Sequence, residues 1–156
     1  MEIMVAMGII AIIMGFFGTG IFQALSIQRT WIDDVRATRE LRTGVNWFTS
    51  DALNAETVDL TDCGAAPCVT LAWTDQGLTC RHTAVYKMAS TTLVRVLDNT
   101  TTTPVVDDVV SGGTSFSLSI RLLTFNLKVE AAQGDTATTS VKTYLRKEKT
   151  PPGVDC

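Results

Sequence analysis

The 156-residue chain carries 16 acidic against 13 basic side chains, a net charge of −3, and a single histidine. With no basic cluster to neutralise a phosphate backbone, nucleic-acid binding is disfavoured. With one histidine and no nucleophile motif around any serine, an enzyme is not expected, nor a cofactor. Residues 1–25, MEIMVAMGIIAIIMGFFGTGIFQAL, contain no Lys, Arg or Asp and one carboxylate, Glu2. About 20 apolar residues in a helix cross a bilayer's hydrocarbon core. Lipid offers no water to an unpaired amide, so such a span must be helical. A secretory signal peptide would carry a basic start and a small-residue cleavage site; this run has no basic residue before it.

The helix is predicted to continue where the sequence turns polar. Ile21, Leu25, Ile32, Val35, Val45, Phe48 and Ala52 recur at spacings of three, four or seven, and Arg29, Asp33, Asp34, Arg36, Arg39, Glu40 and Arg42 occupy the other faces. That is the period of an amphipathic helix, and no proline interrupts it. The expectation is one helix from about residue 2 to about residue 54, roughly 80 Å long at 1.5 Å per residue. Its two parts are a membrane-spanning half, 1–25, and an amphipathic half, 26–54. Trp31 falls near the membrane boundary, where indoles are favoured, and Trp47 is expected under the following domain. Asp33 and Asp34 read as a solvated face.

The segment Met1-Glu2-Ile3-Met4-Val5-Ala6-Met7-Gly8-Ile9-Ile10-Ala11-Ile12-Ile13 resembles the amino-terminal region of type IV pilins and of the pseudopilins of type II secretion. Residues 41–56 resemble the end of the helix in minor pseudopilins. The family's basic leader, the Gly before its cleavage point and its first mature residues do not occur here, and the expectation is a trimmed or misassigned start. The resemblance implies a pilin-like α+β fold, a long helix packed against an antiparallel sheet. It implies a structural subunit of a pilus or pseudopilus, anchored in the cytoplasmic membrane with an extracytoplasmic head. Its partners would be other subunits and the inner-membrane assembly machinery. Glu2 matches the family's glutamate, whose implied role is to neutralise a neighbour's amino terminus and set axial register, because an unpaired charge in an apolar bundle is strongly penalised. A single-span anchor for a binding or sensor domain is the rival from another class.

Gly8, Ala11 and Gly15, followed by Gly18 or Thr19, fall near one stripe, where small residues let helices approach closely. Together with Glu2 they are the expected assembly residues. Each glycine also weakens the helix by about 1 kcal/mol relative to Ala.

Residues 55–156, rich in Thr, Val, Ser and Leu, suit a small β head. Strands are expected at 58–60, 68–73, 79–88, 91–97, 105–110, 115–121, 123–131 and 140–146. The segments 115–121 and 123–131 could form one kinked strand. Turns are expected at 74–77, 98–104 and 111–113, and an exposed tail after 146. Four cysteines in an exported head suggest disulfides, with three connectivities open. Gly64 and Pro67 favour a tight Cys63–Cys68 loop, leaving Cys80–Cys156. A zinc site from Cys63, Cys68, Cys80 and His82 fits none of the usual ligand spacings, and no metal is expected. Asp107 and Asp108 with Asp98 or Asn99 offer oxygen ligands of the kind calcium takes, and a solvated acidic pair is preferred. Asn99-Thr100-Thr101 fits a glycosylation sequon.

Overall fold

The computed structural model describes residues 2–61, 67–74, 80–131, 134–146 and 154–155, with the backbone alone for residues 2–5, 11, 154 and 155. Helix α1 (Glu2–Asn54) runs for 53 residues without interruption. Past it the sequence changes to β-branched runs punctuated by Gly, Asp and Asn, and the chain changes to strands: β1 (Thr57–Asp59), β2 (Cys68–Thr74), β3 (Cys80–Ala89), β4 (Thr92–Leu97), β5 (Thr101–Val106), β6 (Val109–Ser119), β7 (Leu122–Glu130), β8 (Thr136–Tyr144) and β9 (Val154–Asp155).

These strands make two sheets, an α+β layout, where the sequence suggested one sheet. The first runs β1-β2-β3-β4-β5 with antiparallel neighbours, and β9 pairs β3 beside Cys80 and Arg81 in parallel. The second is β6-β7-β8, also antiparallel. They part at Asp107 and Asp108. There Asp108 takes φ 54°, and the Asp107 amide donates to Glu40 Oε2 on the helix (3.1 Å) instead of extending a ladder.

Three local expectations change, and the expectation of two strands over 115–131 holds. Residues 98–104 are not all loop: Asp98 and Asn99 both adopt positive φ (49° and 55°) in a tight turn, the geometry that twists with a hairpin and that Asp and Asn tolerate. The threonines beyond them enter β5. Gly112 and Gly113 do not end a strand but carry the register shift between Val109 and Thr114. A Cβ on Gly113 would lie 2.8 Å from the Val110 carbonyl oxygen and 2.9 Å from that of Lys128, so only glycine fits this bulge. Residues 115–131 divide into β6 and β7 across a reversal at Ile120 (φ 57°). The tail is not wholly an exposed end, since β9 joins the first sheet. The residues expected to turn between β2 and β3, at 75–77, lie outside the described ones.

The core lies between the second half of α1 and the inward faces of the sheets. Ala37, Leu41, Phe48 and Ala52 recur at helical spacing and are buried, against Leu71, Tyr86, Leu123, Phe125 and Leu127. Phe48 is fully buried, its ring 4.4 Å from that of Phe125 and 5.5 Å, edge-on, from that of Tyr86. Aromatic pairs at such separations add to the area they bury. Gly44 sits on the same stripe because nothing larger fits: a Cβ there would fall 2.5 Å from Val106 Cγ2. The stripe expected from the sequence splits in two. Phe48 and Ala52 lie in the core and Val45 is half-buried, but Ile21, Leu25, Ile32 and Val35 are exposed.

Candidate interaction surface

Among the described residues, the large apolar side chains of the first half of α1 are exposed. Phe16, Phe17 and Phe22 are 76 %, 67 % and 75 % exposed, and Ile9, Ile13, Ile21 and Leu25 are exposed with them. One polar side chain within this run satisfies itself: Thr19 Oγ1 donates to the carbonyls of Gly15 (3.1 Å) and Phe16 (3.0 Å), one turn back. Gly8 and Gly15, seven residues apart and so on one face, have open space where a Cβ would go. Glu2 lies on the helix backbone; its side chain and that of Ala11 are outside the described ones. This is one helix long and apolar enough to cross a membrane.

A buried polar cluster anchors the second half to the head. Asp51 stands in the last turn of α1, where no basic residue is present and the helix dipole disfavours a carboxylate. The cation comes from β4 instead. Arg95 Nε and Nη2 donate to Asp51 Oδ2 (2.6 Å) and Oδ1 (3.0 Å), a bidentate fork. The Tyr86 hydroxyl donates to Oδ2 as well, at 2.6 Å. The Asp51 hydrogen bonds, acting against burial, raise the Arg95 guanidinium further above its ordinary value. Burial first, then its bond to Asp51, pushes the Tyr86 hydroxyl well above the usual phenol range. Arg95 also lies over the Trp47 ring, 5.0 Å from its centroid, a cation–π contact; the tryptophan expected beneath the head stays 42 % exposed. Neither Arg95 nor Tyr86 stood out in the sequence. The available signal was an aspartate closing a helix with no cation of its own.

A cleft of about 210 Å³ lies where α1 meets the sheets, lined by Asp33, Arg36, Glu40, Asp108 and Glu130 among others. Arg36 Nε donates to Glu40 Oε1 (3.0 Å), and Nη2 lies 3.4 Å from Asp108 Oδ2. The bond to Glu40 is the main reason the Arg36 guanidinium stays above its ordinary value. Asp33 therefore belongs to this cleft. Asp34 faces the other way, in a shallow groove with Trp31, Val35, Thr38, Arg39 and Arg42.

The remaining sequence candidates are dispersed. His82 Nδ1 lies 2.9 Å from Asp98 Oδ2, its ring stacked on Trp73 at 5.8 Å. The Thr83 amide donates to Asp98 Oδ1 (2.7 Å). Burial works to raise the Asp98 carboxyl, but the His82 and Thr83 hydrogen bonds and the nearby cations together hold it below its ordinary value. Cys68 and Cys80 are disulfide-bonded, so neither supplies a zinc thiolate. The β2–β3 register sets Cys68 opposite Lys87, seven residues along β3 from Cys80. That is roughly 23 Å at strand spacing, too far for the two to bond each other. The other two cysteines, Cys63 and Cys156, lie outside the described residues, as does the expected Cys63–Cys68 loop. Asp98 and Asp107 stand at opposite ends of the β4–β5 hairpin, so they do not converge as calcium ligands. Among the described residues no three His, Cys, Asp or Glu side chains are grouped to hold a metal. Compared with protein-family models, curated proteins and solved structures, the chain matches none.

Proposed function

We propose that the chain is a structural subunit, a minor one, of a filament of the type IV pilus or secretion-pseudopilus kind. The apolar half of α1 holds the subunit in the cytoplasmic membrane before assembly and packs among its neighbours afterwards, with the pilin-like head outside the membrane. The observation that carries this reading is the single helix. Its first half exposes large apolar side chains all round, and its second half is locked into the head by a buried ion pair. A tethered sensor or binding domain needs neither continuity nor such a lock. Disulfide-bonded Cys68 and Cys80 fit an exported head, because thiols are kept reduced in the cytosol. Cys63–Cys68 and Cys80–Cys156 are the proposed pairs, the second favoured by the pairing of β9 beside Cys80.

The role assigned to Glu2, pairing with a neighbour's amino terminus, supplies the test. Glu2→Ala leaves head stability unchanged within about 0.5 kcal/mol, as expected of a site outside the core. Membrane residence persists, because removing a carboxylate from the apolar layer relieves a cost. Incorporation into sheared surface filaments falls, since breaking a buried charge pair costs about 3–5 kcal/mol. Subunit levels in membranes and in sheared filaments are the measurement. Equal incorporation of variant and wild type would leave a plain membrane anchor as the better account.

A further inference from the structure

The exposed apolar surface of α1 continues past the length a membrane needs. Trp31 and Val35 are 70 % and 63 % exposed, and the segment carrying them begins beyond the first 25 residues, already longer than the roughly 20 that span a bilayer. Beside them stand Arg39 and Arg42, with no ion pair to any described residue, and Asp34 at the margin. On the other side of the same helix lies the cleft, to which Asp33, Glu40, Asp108 and Glu130 contribute four carboxylates against the one guanidinium of Arg36. At 100° per residue the two surfaces are roughly 160–200° apart around the axis, and they occupy the same height, residues 31–42 against 33–40.

We infer that these two surfaces are the halves of one contact: the Trp31–Val35–Arg39–Arg42 face of one copy seats on the acidic cleft of a second copy. The inference rests on the filament reading above and names its lateral contact. The partner is a second copy because the chain itself presents both complementary charges, at one height and on opposite sides. Copies standing side by side in the same orientation then meet basic face to acidic cleft. Such a contact is heterologous. Each copy keeps one free face and one free cleft, so the arrangement propagates rather than closing as a two-fold dimer. Trp31 and Val35 supply apolar area for affinity. The charges supply orientation and register more than strength, as charge complementarity does at interfaces.

The test uses the full chain in detergent at low salt. Arg42→Lys keeps the charge and adds an amine that a carbodiimide joins directly to a touching carboxylate. In a mixture of isotopically light and heavy chains, mass spectrometry should find the introduced amine linked to Asp33, Glu40, Asp108 or Glu130 of the other isotope. Without crosslinker, reversing the face (Arg39→Glu with Arg42→Glu), or the cleft (Asp33→Lys with Glu130→Lys), should each lower the oligomers seen by sedimentation at least tenfold. Mixing the two reversed chains should restore most of them, and raising the salt should weaken the wild type. Self-association that ignores both reversals overturns this contact and leaves the filament reading standing. A full chain that stays monomeric under every condition overturns this self-contact, while the filament reading stands or falls on the incorporation of Glu2→Ala. Links from the introduced amine only to carboxylates outside the cleft overturn the assignment of the cleft.

Discussion

Residues 6–36 and 37–54 belong to one helix with one hydrogen-bonding pattern, and they differ in what lies against their side chains. In the first stretch large apolar residues are exposed on every face, Phe16, Phe17 and Phe22 among them. In the second, a single stripe through Ala37, Leu41, Phe48 and Ala52 is sealed by two sheets. A 3.6-residue period is the signature of a helix with one wet side; all-round hydrophobicity is that of a helix with no wet side. Length cannot produce this contrast. It comes from where the head's strands stop covering the helix, near the Glu40 contact with the Asp107 amide.

The lock at Asp51 is where the comparison breaks most easily. Asp51→Ala leaves Arg95 buried without its carboxylate and Tyr86 without an acceptor. The expected loss is about 3–5 kcal/mol of head stability, read from urea unfolding followed by tryptophan fluorescence. Helicity from the apolar half should survive in detergent. A loss below about 1 kcal/mol would mean that the head grips the helix by other contacts.

One substitution made in both halves sharpens the contrast. Gly44→Ala pushes a methyl group into Val106 and Leu127, and overpacking of this kind costs about 1–3 kcal/mol. Gly15→Ala meets open space and should raise helix stability by up to about 1 kcal/mol in the isolated subunit. Thermal melts of the two variants should therefore move in opposite directions. Under the proposed function Gly15→Ala also lowers filament yield, because close helix approach is lost.

The smallest effect concerns the far end of the head. The carboxyl of Asp98 is held below its ordinary value in the folded state, so the unfolded chain binds its proton first as the pH falls. The stability it adds is complete above the ordinary carboxylate pKa, about 3.9, and is lost as pH drops through the folded value. Asp98→Asn keeps a residue that accepts positive φ and an oxygen for the Thr83 amide. It should be less stable than wild type by about 1 kcal/mol at pH 5, with the difference narrowing toward pH 2. A difference that stays constant over that range would take the charge out of the account. The exposed half of α1 should not respond at all.

Local rules carried this chain a long way. An apolar run too long for most core helices, followed without proline by a periodic one, determined α1 nearly to the residue. Runs of Val, Thr and Leu located most strands of the head, because these preferences act within a few residues. The division into two sheets depended on non-local events. The backbone at Asp107 turns to bond Glu40, 67 residues earlier, and Gly113 is squeezed between Val110 and Lys128. No local window of sequence contains both Glu40 and Asp107. The same holds for the site. The run of Phe and Ile without charge in the first 25 residues announced an apolar helix long enough to cross a membrane. The choice of Ala37 and Leu41 over Ile32 and Val35 as the buried stripe was made by the sheets, since either set has helical spacing. Asp51, Tyr86 and Arg95 come together across up to 44 residues. A buried carboxylate takes whichever cation the tertiary fold brings to it, and only the folded chain decides that.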